Sequence, residues 1–173
     1  GVEILTMSAH SGEGMVELKE AIRDLAKRAQ AGISSLYAFR LPVQRAFALH
    51  GAGTVATGVC ASGKLEEGQD VEAQPSGLKS RVRRVHIHGR KSSQALPGLR
   101  TALNLPQLEV NHCKRGVVMA APGTLRAGSL LHLDWTPLAK APELKQGGEV
   151  QVLSGTGAVE GRLYLPPATA SDE

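Results

Sequence analysis

The sequence predicts a mainly β protein, in which a β-barrel is followed by a second, partial β-barrel and preceded by a β-loop-α segment. From Tyr37 onward, short runs rich in Val, Thr and Leu alternate with Gly, Pro, Ser and Asn turns, as in compact antiparallel barrels. Helical spacing of apolar residues occurs near the start of the chain. A length of 173 residues is enough for two small domains with cores of their own.

The first predicted unit covers residues 1–34 and changes character partway. Val2, Ile4 and Leu5 predict a short apolar strand, and residues 8–12 predict a loop. A helix is expected next and should end at Gly32; its apolar positions are Met15, Leu18, Ile22, Leu25 and Ala26. One strand and one helix bury too little apolar surface to fold alone, so this unit packs on the next domain of the chain or is the remnant of a larger domain.

The second predicted unit, residues 35–122, is the barrel. Its first strand is "YAFRLPVQRAFAL", in which Phe39, Leu41 and Val43 share one alternation and Pro42 marks an edge or bend. The later strands are expected in "TVATGVCAS", "GKLEEGQDVEAQ", "PSGLKSRVRRVHIHG", "LRTALNL" and "CKRGVVMAAPG". The glycines between them are typical of barrel corners and bulges.

The third predicted unit, residues 123–173, is an incomplete β module. Strands are expected in "LRAGSLLHLDW" and in "GGEVQVLSGTGAVEGRLYL", and Trp135 is expected in a core or an interface. The polar tail "PPATASDE" predicts disorder.

Composition excludes several classes. No apolar run approaches the roughly 18–20 residues of a membrane span, and no secretory leader is expected, because a charged segment followed by an apolar stretch is not seen in the first residues given. The two cysteines, Cys60 and Cys113, lack C-x-x-C spacing, which predicts buried, inert thiols in a cytoplasmic protein. We find no nucleophile elbow, paired catalytic carboxylates, H-E-x-x-H or G-x-x-x-x-G-K-[ST] loop, so no catalytic residue is expected here.

The net charge permits a polyanionic partner, and its distribution predicts one positive edge in the middle region of the chain. The net charge is only +4, but residues 79–91, "KSRVRRVHIHGRK", contain no acid. The chain has only 3% aromatic residues, too few for a platform that stacks bases. Any nucleic acid should therefore be held through its backbone and shape.

Gly51, Gly53 and Ala56 form G-x-G-x-x-A, a spacing also found in dinucleotide-binding turns. That fingerprint needs a helix directly after the glycines, because the pyrophosphate binds at the helix N-terminus. The next residues are β-branched and small, so a bend between two strands is the better interpretation.

Four further groups of residues each allow a functional and a plain interpretation. Ser8-Ala9 could present backbone N–H groups to a purine, or could be a tight turn. His86 and His88, expected on one side of a strand, could join His112 and Cys113 around zinc, but solvent-facing or hydrogen-bonded histidines fit better.

The arginines are the third and fourth groups. Arg81, Arg83 and Arg84 could bind phosphate or could protect an exposed sheet edge, and both interpretations stay open. Arg45 and Arg100 lie in apolar strands without a local acid, which favours an anionic ligand.

Several of these strings together resemble a known family. The run from "FRLPVQRAF" through "GAGTVATG" to "VHIHG", then "PGLRTALNL" and "KRGVVM", is similar to domain II of the elongation factor Tu group of translational GTPases. Within that group the match is best to the selenocysteine-specific elongation factors. Residues 1–34 resemble the end of the GTP-binding domain, and residues 123–173 resemble part of domain III.

The resemblance implies a GTP-dependent factor that delivers selenocysteinyl-tRNA to the ribosome at UGA codons, with domain II holding the aminoacylated CCA end. It implies that Gln44, at a usual Asp position, together with Arg45 and Arg100, forms the selenocysteine pocket, with both guanidinium groups desolvated. Further residues implied near the tRNA 3′ end are Gly51, Gly53, Thr54 and His88. It implies guanine contacts at Ser8 and Ala9. With such a partner, we predict that the strand carrying Arg81, Arg83 and Arg84 contacts tRNA phosphates.

The same resemblance implies GTP and magnesium in the parent protein but no cofactor or metal in this segment, and further domains that bind an mRNA hairpin. The segment itself is expected to be a cytoplasmic monomer without membrane contact. Alternatives are another GTPase with this barrel, such as a general elongation factor or an initiation factor two gamma type, or a barrel that binds only protein. An oxidoreductase is the weakest option.

Overall fold

The computed structural model describes residues 4–30 and 36–165, with no side-chain description for residues 29 and 30. The expected helix is confirmed as α1, Met15–Gln30. Its expected end at Gly32 and the expected disordered tail lie outside the described residues, as does Val2. Residues 4–8 form no strand, contrary to expectation, and Ile4 is 87% exposed. A strand needs a hydrogen-bonded neighbour, and none of the described strands pairs with this segment.

The region after residue 36 is built almost entirely from short antiparallel strands, which confirms the mainly β fold. The strands are β1 Arg40–Leu49, β2 Gly53–Val59, β3 Leu65–Glu66, β4 Asp70–Gln74, β5 Leu78–Arg81, β6 Arg84–Ile87, β7 Arg90–Ser92, β8 Gln94–Ala95, β9 Arg100–Leu105, β10 Val118–Ala120, β11 Glu149–Ser154 and β12 Gly157–Arg162. A 3-10 turn, Val110–Cys113, precedes β10.

Eight strands form one sheet in the order β5-β4-β10-β1-β2-β9-β6-β7. In a flat sheet β5 and β6 would lie about 29 Å apart, since neighbouring strands are ~4.8 Å apart. The chain from Arg81 to Arg84 can span only about 11 Å, so the sheet curls until its two ends meet. No continuous ladder closes the ring among the described strands; instead the chain itself joins the two ends, because the Val82 N–H donates to the Gln69 carbonyl beside β4 at 2.8 Å and the Arg83 N–H donates to the Asn104 carbonyl of β9 at 2.9 Å.

The concave side of this curled sheet encloses one apolar cluster. Leu41, Val43, Leu103, Leu105 and Met119 are fully buried within it. Each such side chain contributes about 1.5–3 kcal/mol relative to exposure. The outward side of the same strands is thereby left as the solvent-facing surface.

Both cysteines belong to this core, as expected, and are free thiols. Burial raises the pKa of the Cys60 thiol and of the Cys113 thiol to about 11 each. Both sulfurs are therefore protonated at neutral pH. Among the described helices, none has the length and apolar character required to cross a bilayer.

The third predicted unit contains fewer strands than expected within the described residues. Its β11–β12 hairpin confirms one expected pair. The run 125–135 forms no strand, because no neighbouring strand is available there to pair with it. Trp135, expected in a core or an interface, is 54% exposed and so is not a core residue of the described chain.

Candidate RNA-binding face

The outward side of strands β1, β2, β9, β6 and β7 carries Arg45, Arg84 and Arg100 of the predicted site and is called the outer face below. Residues directly opposite each other in a sheet share one face. One such row runs across all five strands, and its members are Arg45, Thr57, Ala102, His86 and Lys91. The row has a cationic residue at each end and a histidine within it.

Arg45 reaches this face because of an irregularity in β1. Val43 pairs with Gly58 and Arg45 pairs with Thr57, so β1 contains one more residue than β2 between these two pairs. We call this register shift the Gln44 bulge, because Gln44 is the unpaired residue. Leu41 and Val43 point into the core before the bulge, whereas Arg45 and Phe47, on the same alternation, are exposed after it. A bulge of this kind re-aims the side chains that follow it.

Arg100 lies on the same face two strands away. It pairs with Val59, and its carbonyl accepts a hydrogen bond from the His88 N–H at 3.3 Å. The Cα atoms of Arg45 and Arg100 are therefore separated by two strand spacings and one two-residue step, about 12 Å in all. The structure thus brings Arg45, Arg100 and His88 to one surface, with Thr57 and Val59 between the two arginines.

Desolvation of the guanidinium groups would require a bound ligand to cover them, because Arg45 and Arg100 are both exposed in the chain alone. The cause of their exposure is the bulge in β1 and the outward alternation of β9. Neither Arg45 nor Arg100 forms an ion pair within the described residues. Each is free to meet an anion that approaches from outside.

The glycine bend closes one end of the face. Gly51 and Gly53 have φ of 73° and 86°, in the left-handed region, and β2 follows at once, which confirms a bend between strands. Asn104 holds the bend, because its Nδ2 donates to the carbonyls of Ala52 at 2.7 Å and Thr54 at 3.1 Å. Thr54 as a whole residue is only 5% exposed, so it lies beneath the bend.

The sequence predicted a single strand through the three arginines proposed to bind phosphate, but in the structure they do not lie along one strand. β5 ends at Arg81 and β6 begins at Arg84, and the regular alternation of buried and exposed residues breaks where exposed Arg84 follows exposed Arg83. Arg81 pairs with Asp70, Nε to Oδ1 at 3.3 Å. Arg83 directs Nη1 to the Ala52 carbonyl at 3.5 Å, which brings it to the glycine bend.

One expectation about the histidines changes as well. His86 lies in β6, but His88 follows the strand with a φ of 50°, so the two are not on one regular strand. No group of three potential metal ligands occurs within residues 4–30 and 36–165. His112 accepts a hydrogen bond from the Glu109 N–H at its Nδ1, at 3.3 Å.

Ser8 and Ala9 form a tight turn before α1. The Ser8 N–H donates to the Glu13 carbonyl at 3.0 Å, and the Ser8 carbonyl accepts from Gly12 at 2.9 Å. The Ala9 N–H has no acceptor in the described part of the chain. Of the two amides, only that of Ala9 is available to an external acceptor.

Sequence reasoning missed Lys91 and Asn104 as members of this region. Lys91 joins the outer face only through the β6–β7 register, which no local pattern reveals. Asn104 could have been identified from one feature of the sequence, namely that it is the only amide side chain in the mostly apolar run "LRTALNL". Buried amides are normally hydrogen-bonded, and here the partner is the glycine bend.

Several known proteins similar to this chain are described as selenocysteine-specific elongation factors. It is 40% identical over 167 residues to a selenocysteine-specific elongation factor of Desulfomicrobium baculatum, covering 95% of this chain and 26% of that protein. It is 30% identical over 159 residues to one from Haemophilus influenzae, covering 91% of this chain and 24% of that protein. No model of a protein family matches the chain.

The fold agrees with these sequence matches. A crystal structure of a bacterial selenocysteine-specific elongation factor, EF-Sec, matches with a TM-score of 0.79 at 32% identity, over 95% of this chain and 27% of that chain. This chain thus spans about a quarter of the length of its relatives.

Proposed function

This chain corresponds to a part of the selenocysteine-specific elongation factors, SelB, and on that premise we propose that it holds the aminoacylated 3′ end of selenocysteinyl-tRNA. The observation that carries the proposal is the pair Arg45 and Arg100, exposed on one face without an acidic partner among the described residues. The whole factor would be a cytoplasmic, GTP-dependent protein that delivers this tRNA to the ribosome at UGA codons, with an mRNA hairpin bound elsewhere.

The proposed recognition is by charge. A selenol is ionised at neutral pH, whereas the hydroxyl of a seryl-tRNA is not. Two guanidinium groups in water gain little from an anion, about 1 kcal/mol at 4 Å, but about four times as much in a site with an effective dielectric near 20. Discrimination therefore needs the bound tRNA end to cover Arg45 and Arg100 and exclude water from the outer face.

Gln44 departs from the acidic residue expected beside Arg45. A neutral amide at the bulge leaves the guanidinium without a competing carboxylate, so the pocket is more positive than the family pattern implies. An amide also supplies both a donor and an acceptor to the esterified amino acid. This composition favours an anionic side chain over a neutral one.

The surrounding groups would position the RNA. Arg83 beside the glycine bend, with Arg84 at the start of β6, would contact phosphates, and Arg81 would do so once released from Asp70. The open backbone at Gly51 and Gly53, the backbone of Thr54, and His88 would lie near the terminal nucleotide. Ser8 and Ala9 would border the guanine of GTP through the free Ala9 N–H, and magnesium would be held outside this segment.

The test compares the affinities of the whole factor for selenocysteinyl-tRNA and seryl-tRNA. We expect Arg45→Ala and Arg100→Ala each to lower the ratio of these affinities about 10-fold or more, since a charge-assisted hydrogen bond contributes about 1.5–3 kcal/mol. Arg23→Ala, which removes an exposed arginine from α1, serves as the control. An equal loss of affinity for both tRNAs would show that the arginines do not read charge.

The phosphate contacts have a separate test. Arg83→Gln and Arg84→Gln should each reduce the slope of log K against log salt by about 1, because each contact releases one counterion equivalent. Arg81→Gln should have a smaller effect, because Arg81 first has to leave Asp70. An unchanged slope in all three variants would exclude this strand region as a phosphate contact.

A further inference from the structure

The β11–β12 hairpin is hydrogen-bonded to β1 at Val43, the residue that precedes the Gln44 bulge. The Thr156 hydroxyl, at the hairpin tip, donates to the Val43 carbonyl at 2.7 Å and accepts from the Gly116 N–H at 3.2 Å. The Thr156 carbonyl accepts from Arg115 Nε at 3.3 Å. One turn residue thus connects β1 to the loop before β10, across 113 residues of sequence.

The contact is close because glycines form it on both sides. The tip glycine, Gly155, lies so near Pro42 that a Cβ there would be 3.2 Å from the Pro42 Cβ. A Cβ on Gly116 would be 3.3 Å from the Cα of Gly157. Two backbones that approach this closely fix the position of the Thr156 hydroxyl relative to Val43.

Val43 is also the point at which β1 changes partners. Residues 40–42 of β1 pair with β10, and pairing with β2 begins at Val43. The Val43 N–H still donates to the Val117 carbonyl at 2.8 Å, and the Val43 carbonyl accepts a long hydrogen bond from the Gly116 N–H at 3.4 Å. The Thr156 hydroxyl adds a shorter hydrogen bond to the same carbonyl, at 2.7 Å.

We propose that Thr156 is a positioning residue for the Gln44 bulge, so that the β11–β12 hairpin sets the orientation of Arg45 on the outer face. The hydroxyl holds the carbonyl of Val43, which fixes the peptide plane leading into Gln44. That plane determines which way the next two side chains leave the strand. The consequence for tRNA selection rests on the proposed function, whereas the structural coupling does not.

The experiment uses three variants of the whole factor. Thr156→Val keeps the shape of the side chain but removes the hydroxyl, Thr156→Ser keeps the hydroxyl, and Thr124→Val removes a surface hydroxyl that donates to the Ala121 carbonyl elsewhere. The readouts are amide exchange at Gly116 and the NMR signal of the Arg45 side-chain Nε–H. Both are independent of tRNA.

We expect Thr156→Val to accelerate exchange at Gly116 about five- to tenfold and to shift the Arg45 signal, and we expect Thr156→Ser to restore both. Thr124→Val should change neither. An Arg45 signal that stays unmoved in Thr156→Val would overturn the proposal, and so would a signal that Thr156→Ser leaves shifted.

The tRNA measurement separates this proposal from the proposed function. If both hold, Thr156→Val lowers the ratio of selenocysteinyl- to seryl-tRNA affinity about tenfold at most, in the same direction as Arg45→Ala. If the Arg45 signal shifts but neither Thr156→Val nor Arg45→Ala changes that ratio, the positioning role stands and the charge-reading pocket is wrong.

Discussion

Gly58 tests the geometry of the bulge most directly, because it lies opposite Val43 in β2. A Cβ at this position would collide with the Pro42 carbonyl oxygen and lie 3.0 Å from Leu41 Cδ2 and 3.2 Å from the Pro42 carbonyl carbon. The obstacle is mainly backbone, and β1 is held by β10 on one side and β2 on the other. Gly58→Ala therefore has to displace a paired strand.

The expected cost follows from these contacts. Overpacking typically costs about 1–3 kcal/mol, and a backbone obstacle places Gly58→Ala near the upper end. Lower entropy of the unfolded chain offsets about 0.4–1 kcal/mol. The net loss of about 2 kcal/mol corresponds to a fall of roughly 8–16 °C in Tm for a domain of about 90 residues.

Far-UV circular dichroism during heating, supported by urea titration, measures this effect. Gly161→Ala is the matched control, since Gly161 also lies in a strand and nothing stands within 4 Å of an added Cβ. The control should be neutral or slightly stabilising. If Gly58→Ala unfolds within about 1 °C of the unmodified chain, the close approach of β1 and β2 is not rigid and our account of the bulge fails.

Two further predictions concern the interior. The Cys60 and Cys113 thiols have a pKa raised by burial from 9.0 to about 11, so a thiol reagent at pH 8 should label them only after unfolding in urea. Since each thiol pKa is higher in the folded state, the contribution of the two thiols to stability is complete below pH 9 and is lost as the pH rises towards 11. Urea midpoints measured across that pH range would reveal the loss. Rapid labelling of the folded protein at pH 8 would contradict the burial of the thiols. Asn104→Ala should lower the free energy of unfolding by about 1–3 kcal/mol by leaving the Ala52 and Thr54 carbonyls without their donor, whereas exposed Asn111→Ala should not; equal urea midpoints for the two variants would contradict it.

The sequence predicted the strands of the barrel well because glycine and proline mark most of their ends. Gly53 and Phe39 illustrate this, since the bend and the first core residue lie where the pattern indicates. The pairing register of the strands could not be predicted, because it depends on residue pairs that are distant in the sequence. The single strand expected through Arg81 and Arg84 breaks for that reason, because the Val82 N–H still bonds the Gln69 carbonyl beside β4 whereas the Arg83 N–H bonds the Asn104 carbonyl of β9.

The bulge explains why Arg45 looked misplaced in an apolar strand. Strict alternation from Leu41 and Val43 would direct Arg45 into the core, where an unpaired charge would be strongly destabilising. One extra residue, Gln44, reverses the alternation and turns the same side chain outward. Phe47 becomes exposed by the same reversal, so an apolar surface accompanies the arginine onto the outer face. On this face an arginine can bind the anionic atom of a ligand while Phe47 contacts the apolar part that bears it. An esterified amino acid with an ionised side chain would present both parts.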